Sequence, residues 1–90
     1  MFTIYSRPGC GYCDAAKDLL QRRGLQFTEL VLDAGQRKEE GVQYYTKAQL
    51  LEKAPGAKTV PQIFHNQKHI GGFTELTELD MDGGLDHLHP

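Results

Sequence analysis

Cys10 and Cys13 are the two cysteines of this 90-residue chain, and both fall inside Cys10-Gly11-Tyr12-Cys13. One close pair is too little to staple a secreted scaffold and suits thiol–disulfide exchange instead. A free thiol with a pKa of about 8.5 attacks weakly at neutral pH, whereas one at a helix N-terminus is held as thiolate by unpaired amides and the helix dipole. Cys10 follows Arg7-Pro8-Gly9, which breaks a strand, and precedes a helical pattern, so it takes that place. Arg7, in the same turn, can add positive charge near the sulfur or near an anionic substrate. Cys13 lies one helical turn onward on the same side, where its sulfur can reach disulfide distance from Cys10. On the apolar face with Ala16 and Leu20 it is expected to stay protonated and shielded, resolving a mixed disulfide rather than attacking first.

A zinc site is the rival use of the pair, with His65 and His69 adding a His-x3-His spacing. Against it, about 50 residues separate the pairs where about a dozen is usual, and His69 falls on the opposing strand of a hairpin. Both are expected to be exposed strand histidines. His87 and His89 are expected in a solvated tail rather than on a metal.

The elements that must hold the cysteines follow from the pattern. Phe2 and Ile4 alternate with Thr3 and Tyr5 in a short strand. From Gly11 to Arg23, Cys13, Ala16, Leu19 and Leu20 recur at helical spacing, with Asp14 in the first turn, Arg22 and Arg23 in the last, and Gly24 able to cap. Gln26 to Leu32 ends in a nearly continuous apolar run, expected of a strand buried on both faces beside a parallel neighbour. Residues 33 to 45 are polar and read as an exposed loop whose Tyr44 and Tyr45 pack back. Thr46 and Gln49 resemble a capping box for a short helix that Pro55-Gly56 ends. A hairpin turns at Asn66-Gln67 after strand residues from Thr59 to His65. Gly71 and Gly72 end its second strand, and Thr74 is expected to cap a final helix bearing Leu76 and Leu79. The order is βαβαββα, a four-stranded mixed sheet of the α/β class in a single domain over residues 1 to 90, with 82 to 90 a loose tail.

Composition narrows the partners. Ten basic and twelve acidic residues give a net charge of -2, with neither sign gathered into a run, so no nucleic-acid or membrane-surface footprint is present. The N-terminus lacks the basic start and longer apolar stretch of a signal peptide, and no segment has the length of a transmembrane helix. Residence in a reducing cytoplasm is expected.

Three segments together resemble the glutaredoxin family: Tyr5-Ser6-Arg7-Pro8-Gly9-Cys10-Gly11-Tyr12-Cys13, Thr59-Val60-Pro61-Gln62-Ile63-Phe64, and Ile70-Gly71-Gly72-Phe73-Thr74-Glu75. The resemblance covers most of residues 2 to 80 and is more specific than a lone Cys-x-x-Cys. It implies a thioredoxin-like fold with a cis Pro61 facing the cysteines, glutathione as reductant, and a monomer acting on disulfide-containing or glutathionylated proteins, ribonucleotide reductase being a common client. It further implies that the Val60 backbone pairs with the cysteinyl part of glutathione, that Thr59 shapes the same wall, and that Arg7 lies near the glycyl end. The amides of Phe73 and Thr74, after Gly72, would receive the γ-glutamyl carboxylate, Glu75 its ammonium group, and Tyr12 would flank the sulfur. Glu75 replaces an aspartate common in relatives.

Gly11 stands where the commoner motif has proline. Relatives lacking that proline resemble carriers in which two protomers share a [2Fe-2S] cluster through the first cysteine, here Cys10, and glutathione; this is the alternative reading. A thioredoxin-type donor served by a flavoprotein reductase shares the fold without the glutathione contacts.

Overall fold

Residues 1–88 are described by a computed structural model. Five strands and three α-helices follow one another as β1 (Phe2–Ser6), α1 (Gly11–Arg22), β2 (Phe27–Leu32), β3 (Gln43–Tyr45), α2 (Lys47–Lys53), β4 (Gln62–His65), β5 (Lys68–Gly71) and α3 (Phe73–Met81), then a 3-10 turn over Gly84–Leu88. The sheet order is β3-β2-β1-β4-β5. β1 lies parallel to β2 in a register that sets Ile4 opposite Glu29, β2 lies parallel to β3, and β4 is antiparallel to both β1 and β5.

Alternation on β1 divides the core, because successive side chains of a strand leave by opposite faces. Phe2 and Ile4 join Ala16, Leu19 and Leu20 of α1, Ile63 of β4 and Leu76 of α3 in one cluster. Tyr5 on the other face joins Tyr45, Leu50 and Ala54 around α2, with Phe64. The molecule is thus a three-layer α/β/α sandwich with the end of β1 and the start of α1 at its centre.

Three sequence expectations need correction. The fifth strand, β3, lies inside what reads as an exposed loop: Tyr44 and Tyr45 do pack back, and their backbone pairs with Val31 and Leu32. A three-residue strand leaves too little alternation to be read from pattern. β2 is half-buried along its whole length rather than buried on both faces, since polar Thr28 and Glu29 occupy its middle. The segment after Asp82 is not loose as far as Leu88, for Leu85 is 1% exposed and belongs to the core against α1 and α3. His87 sits in that 3-10 turn, while His89 lies outside the described residues.

Arg23, the C-cap of α1, makes a two-pronged bond to Asp80 of α3 at 2.7 and 2.9 Å. That hydrogen bond holds the Asp80 carboxyl below its usual range despite the opposing effect of burial. A depressed carboxylate pKa stabilises the fold at pH values above that of the free side chain and loses the effect as pH falls through the folded value. Asp80→Asn is therefore expected to lower the melting temperature at pH 7, with the gap to wild type closing as pH falls through the lowered folded value, beneath the usual carboxylate range. Leu85→Ala is expected to cost about 2–5 kcal/mol in urea unfolding, a loss no loose tail would give.

Candidate active site

The site begins where β1 stops. Gly9 has φ of 69°, a left-handed conformation open to glycine, and lets the chain turn between Pro8 and Cys10. Cys10 is extended (φ -99°, ψ 107°) and is the N-cap of α1, its Sγ accepting from the Cys13 amide at 3.1 Å. Its carbonyl accepts from Asp14 N–H at 3.2 Å, the first bond of the helix. Sulfur so placed receives an amide that the helix itself cannot satisfy.

Cys10 and Cys13 are joined as a disulfide with Cα atoms 5.2 Å apart. Cys13 is 1% exposed on the buried face of α1 with Ala16, Leu19 and Leu20. Cys10 is 6% exposed, its sulfur 3.9 Å from the Val60 carbonyl oxygen. The zinc pairing is not formed: His69 stacks on Phe64 at 4.7 Å between ring centres, and His65 lies against Phe2 at 4.8 Å. No group of three or more metal-ligating side chains occurs among the described residues.

Arg7, Tyr12, Thr59, Val60, Pro61, Gly72, Phe73, Thr74 and Glu75 all line one groove of about 810 Å³. The Val60-Pro61 peptide is cis. Gly72, rather than the expected Thr74, is the N-cap of α3, which starts at Phe73. Glu75, the third helical residue, reaches back to accept from Gly72 N–H at 2.6 Å, as the glutamate of a capping box does. A Cβ at Gly72 would stand 3.4 Å from the Pro61 carbonyl, and one at Gly71 only 2.7 Å from the Glu75 side chain. Glycine at 71, with φ of 127°, leaves room for the Glu75 side chain to fold back on the start of α3. Tyr12, 67% exposed, stands over the groove with its ring 5.9 Å from that of Phe73.

Several residues that steady this site escape a reading of the sequence. Ser6, 2% exposed at the end of β1, accepts through its carbonyl from the Tyr45 hydroxyl at 2.9 Å and donates its own hydroxyl to Glu29 at 2.7 Å. Burial, and after it the neighbouring Tyr5, pushes the Tyr45 pKa up. Glu29 also meets Lys17 of α1 at 2.9 Å, and this bond with a second to Asp14 raises the Lys17 pKa against the lowering effect of burial. Gln62 donates to the Thr59 carbonyl at 2.8 Å, so its oxygen is left to accept from His69 Nε2 at 2.7 Å. For Ser6, Glu29 and Gln62 the sequence signal is polarity at strand positions otherwise apolar.

A dithiol at the N-terminus of the first helix of a thioredoxin-like sheet, facing a cis-proline loop, defines a thiol–disulfide oxidoreductase. The glutaredoxin family model matches residues 2–70. Glutaredoxin 3 of Escherichia coli strain K12 is 42% identical over 85 residues, covering 94% of this chain and 92% of that one. A glutaredoxin of Pseudomonas aeruginosa is also 42% identical, over 94% of this chain and 90% of its own length. Among solved structures, the buckwheat glutaredoxin–glutathione complex superposes with a TM-score of 0.75 at 31% identity, over 97% of this chain and 74% of that chain. The Brucella melitensis glutaredoxin gives 0.71 at 39% identity, over 97% of this chain and 85% of that chain. The chain belongs to the glutaredoxin family.

Gly11, the first residue of α1, has open space where a Cβ would go. The extended Cys10 before it already has the conformation that a following proline prefers. Gly11→Pro is accordingly expected to stabilise the protein by about 0.4–1 kcal/mol through a less free unfolded chain, read as a raised denaturant midpoint with an unchanged slope.

Proposed function

We propose that the protein reduces glutathione mixed disulfides and protein disulfides in a reducing cytoplasm, with glutathione as the electron source. The observation that carries this reading is the Cys10 sulfur capping α1 beside a groove walled by Val60, Pro61 and the start of α3. In the reduced protein the Cys13 amide and the helix dipole favour the Cys10 thiolate. That thiolate attacks the glutathione sulfur of a mixed disulfide; the new bond joins Cys10 to glutathione, and the departing thiolate leaves with the electron pair and takes up a proton. A second glutathione thiolate then attacks the glutathione sulfur on Cys10, which forms glutathione disulfide and restores the Cys10 thiolate. For an intramolecular protein disulfide, Cys10 attacks one substrate sulfur and releases the other as a thiolate; Cys13 then attacks Cys10 in that mixed disulfide, expels the reduced substrate and closes the pair found here, which two glutathiones reopen with release of glutathione disulfide.

In this reading the tripeptide lies along the Val60 wall as an added strand, with Thr59 shaping that wall. Its γ-glutamyl carboxylate meets the Phe73 and Thr74 amides at the N-terminus of α3. The glycyl carboxylate lies toward Arg7, which forms no ion pair among the described residues. Glu75 has one oxygen on Gly72 N–H and the other to offer the γ-glutamyl ammonium group. Tyr12 covers the sulfur.

The test is glutathione-coupled reduction of a small mixed disulfide. Cys10→Ser is expected to abolish it. Cys13→Ser is expected to keep it while impairing reduction of an intramolecular protein disulfide at least tenfold, and equal loss of both activities by Cys13→Ser would contradict the division of roles. The midpoint of alkylation rate against pH is expected well below about 8.5 for Cys10. Gly11 in the motif gives a [2Fe-2S] carrier its support; such a cluster would draw Cys10 from each of two chains and sulfur from two glutathiones. A brown dimer after anaerobic incubation with iron, sulfide and glutathione would establish that second activity, and a colourless monomer would remove it.

A further inference from the structure

His69 stands on β5, outside the groove, and the exchange chemistry derived above gives it no task. Its ring nevertheless connects to the groove wall through two bonds. The sheet sets His69 opposite Phe64, and Gln62, two residues before Phe64 on β4, leaves the sheet by the same face as Phe64. His69 and Gln62 are thus diagonal neighbours, a separation that long side chains span. His69 Nε2 lies 2.7 Å from Gln62 Oε1. At the other end of the same amide, the Gln62 nitrogen donates to the Thr59 carbonyl at 2.8 Å.

Donor and acceptor roles along this chain are fixed from one end. A carbonyl only accepts, so the Gln62 nitrogen faces Thr59 and the Gln62 oxygen faces His69. That oxygen only accepts in its turn, so His69 Nε2 carries a proton in the neutral ring as well as in the charged one. The imidazole is held against Phe64 with ring centres 4.7 Å apart and 24° between the planes, and Gln62 is 7% exposed. A buried amide bonded at both ends does not swing about its last torsion without leaving a polar atom unpaired.

What this chain grips is half of a peptide unit. The Thr59 carbonyl and the Val60 N–H belong to one planar group, and in a trans unit such as this they point in opposite directions. Drawing the carbonyl toward buried Gln62 therefore directs the Val60 N–H outward, to the groove that Val60 lines.

We propose that His69 and Gln62 are positioning residues for exchange: acting in series through the Thr59 carbonyl, they hold the Val60 N–H at the angle at which the backbone carbonyl of an added strand pairs with it. The proposal rests on the reading of Val60 as the wall that pairs with glutathione, and adds to it the residues that orient that wall.

The experiment measures kcat and KM for the mixed disulfide of glutathione and 2-mercaptoethanol, together with the 15N order parameter of the Val60 amide. His69→Phe keeps a ring against Phe64 and removes the donor, whereas His69→Gln removes the ring and supplies an amide N–H at similar reach. His69→Phe is expected to raise KM about two- to tenfold with little change in kcat, the scale of one hydrogen bond's share of binding. The same variant is expected to lower the Val60 order parameter from the rigid value of about 0.85. His69→Gln is expected to match wild type in both measurements, and so is Lys68→Gln, a neighbour on β5 outside the relay. Loss in His69→Gln with none in His69→Phe would assign the ring a packing role and overturn the proposal, as would an unchanged Val60 order parameter in His69→Phe. A loosened Val60 amide with wild-type KM overturns the pairing of glutathione with Val60, and the proposal with it, by a signature distinct from failure of the relay itself. Should His69→Phe not fold, the imidazole 15N shifts of wild type decide: a protonated Nε2 in the neutral ring supports the relay, and a bare Nε2 overturns it.

Discussion

A helix must begin with amides that have no partner inside it, and here the nearest acceptor to the Cys13 amide is the Cys10 sulfur at 3.1 Å. One contact therefore serves two purposes. It caps α1, which buries Ala16, Leu19 and Leu20 against the sheet, and it surrounds sulfur with positive potential. Structure and reactivity depend on the same atoms because a capping position and an anion-binding position are physically the same place.

The site segments approach one another because side chains outside the motifs take up backbone groups within or beside them. Tyr45 holds the carbonyl that precedes the Arg7-Pro8-Gly9 turn, Gln62 holds the Thr59 carbonyl of the proline loop, and Glu75 holds the amide that precedes α3. Each bond contributes about 0.5–1.5 kcal/mol, modest for stability. Their effect is geometric: three chain segments far apart in sequence are fixed around one sulfur.

Much of this was legible in advance for identifiable reasons. Alternation at Phe2 to Tyr5 and the helical spacing of Cys13, Ala16, Leu19 and Leu20 report burial directly, and the Thr46–Gln49 capping box is present with both of its bonds. What stayed hidden was non-local. The pairing of β3 with β2 leaves no local periodicity in three residues, and Leu85 reaches the core through a turn that the two preceding glycines disguise. Thr74 has the chemistry of a cap, but the chain enters α3 two residues earlier, so Gly72 takes the role and Glu75 closes it from within the helix. Ser6, Glu29 and Lys17 each read as ordinary polar residues until strand register and helix docking bring them together.

Both rims of the sheet are short, three residues in β3 and four in β5, and Lys68 stands on the second. Unpaired strand edges invite other chains to pair with them, and brevity and charge are the usual guards. The fold thus offers little template along either border, which discourages self-association into fibres.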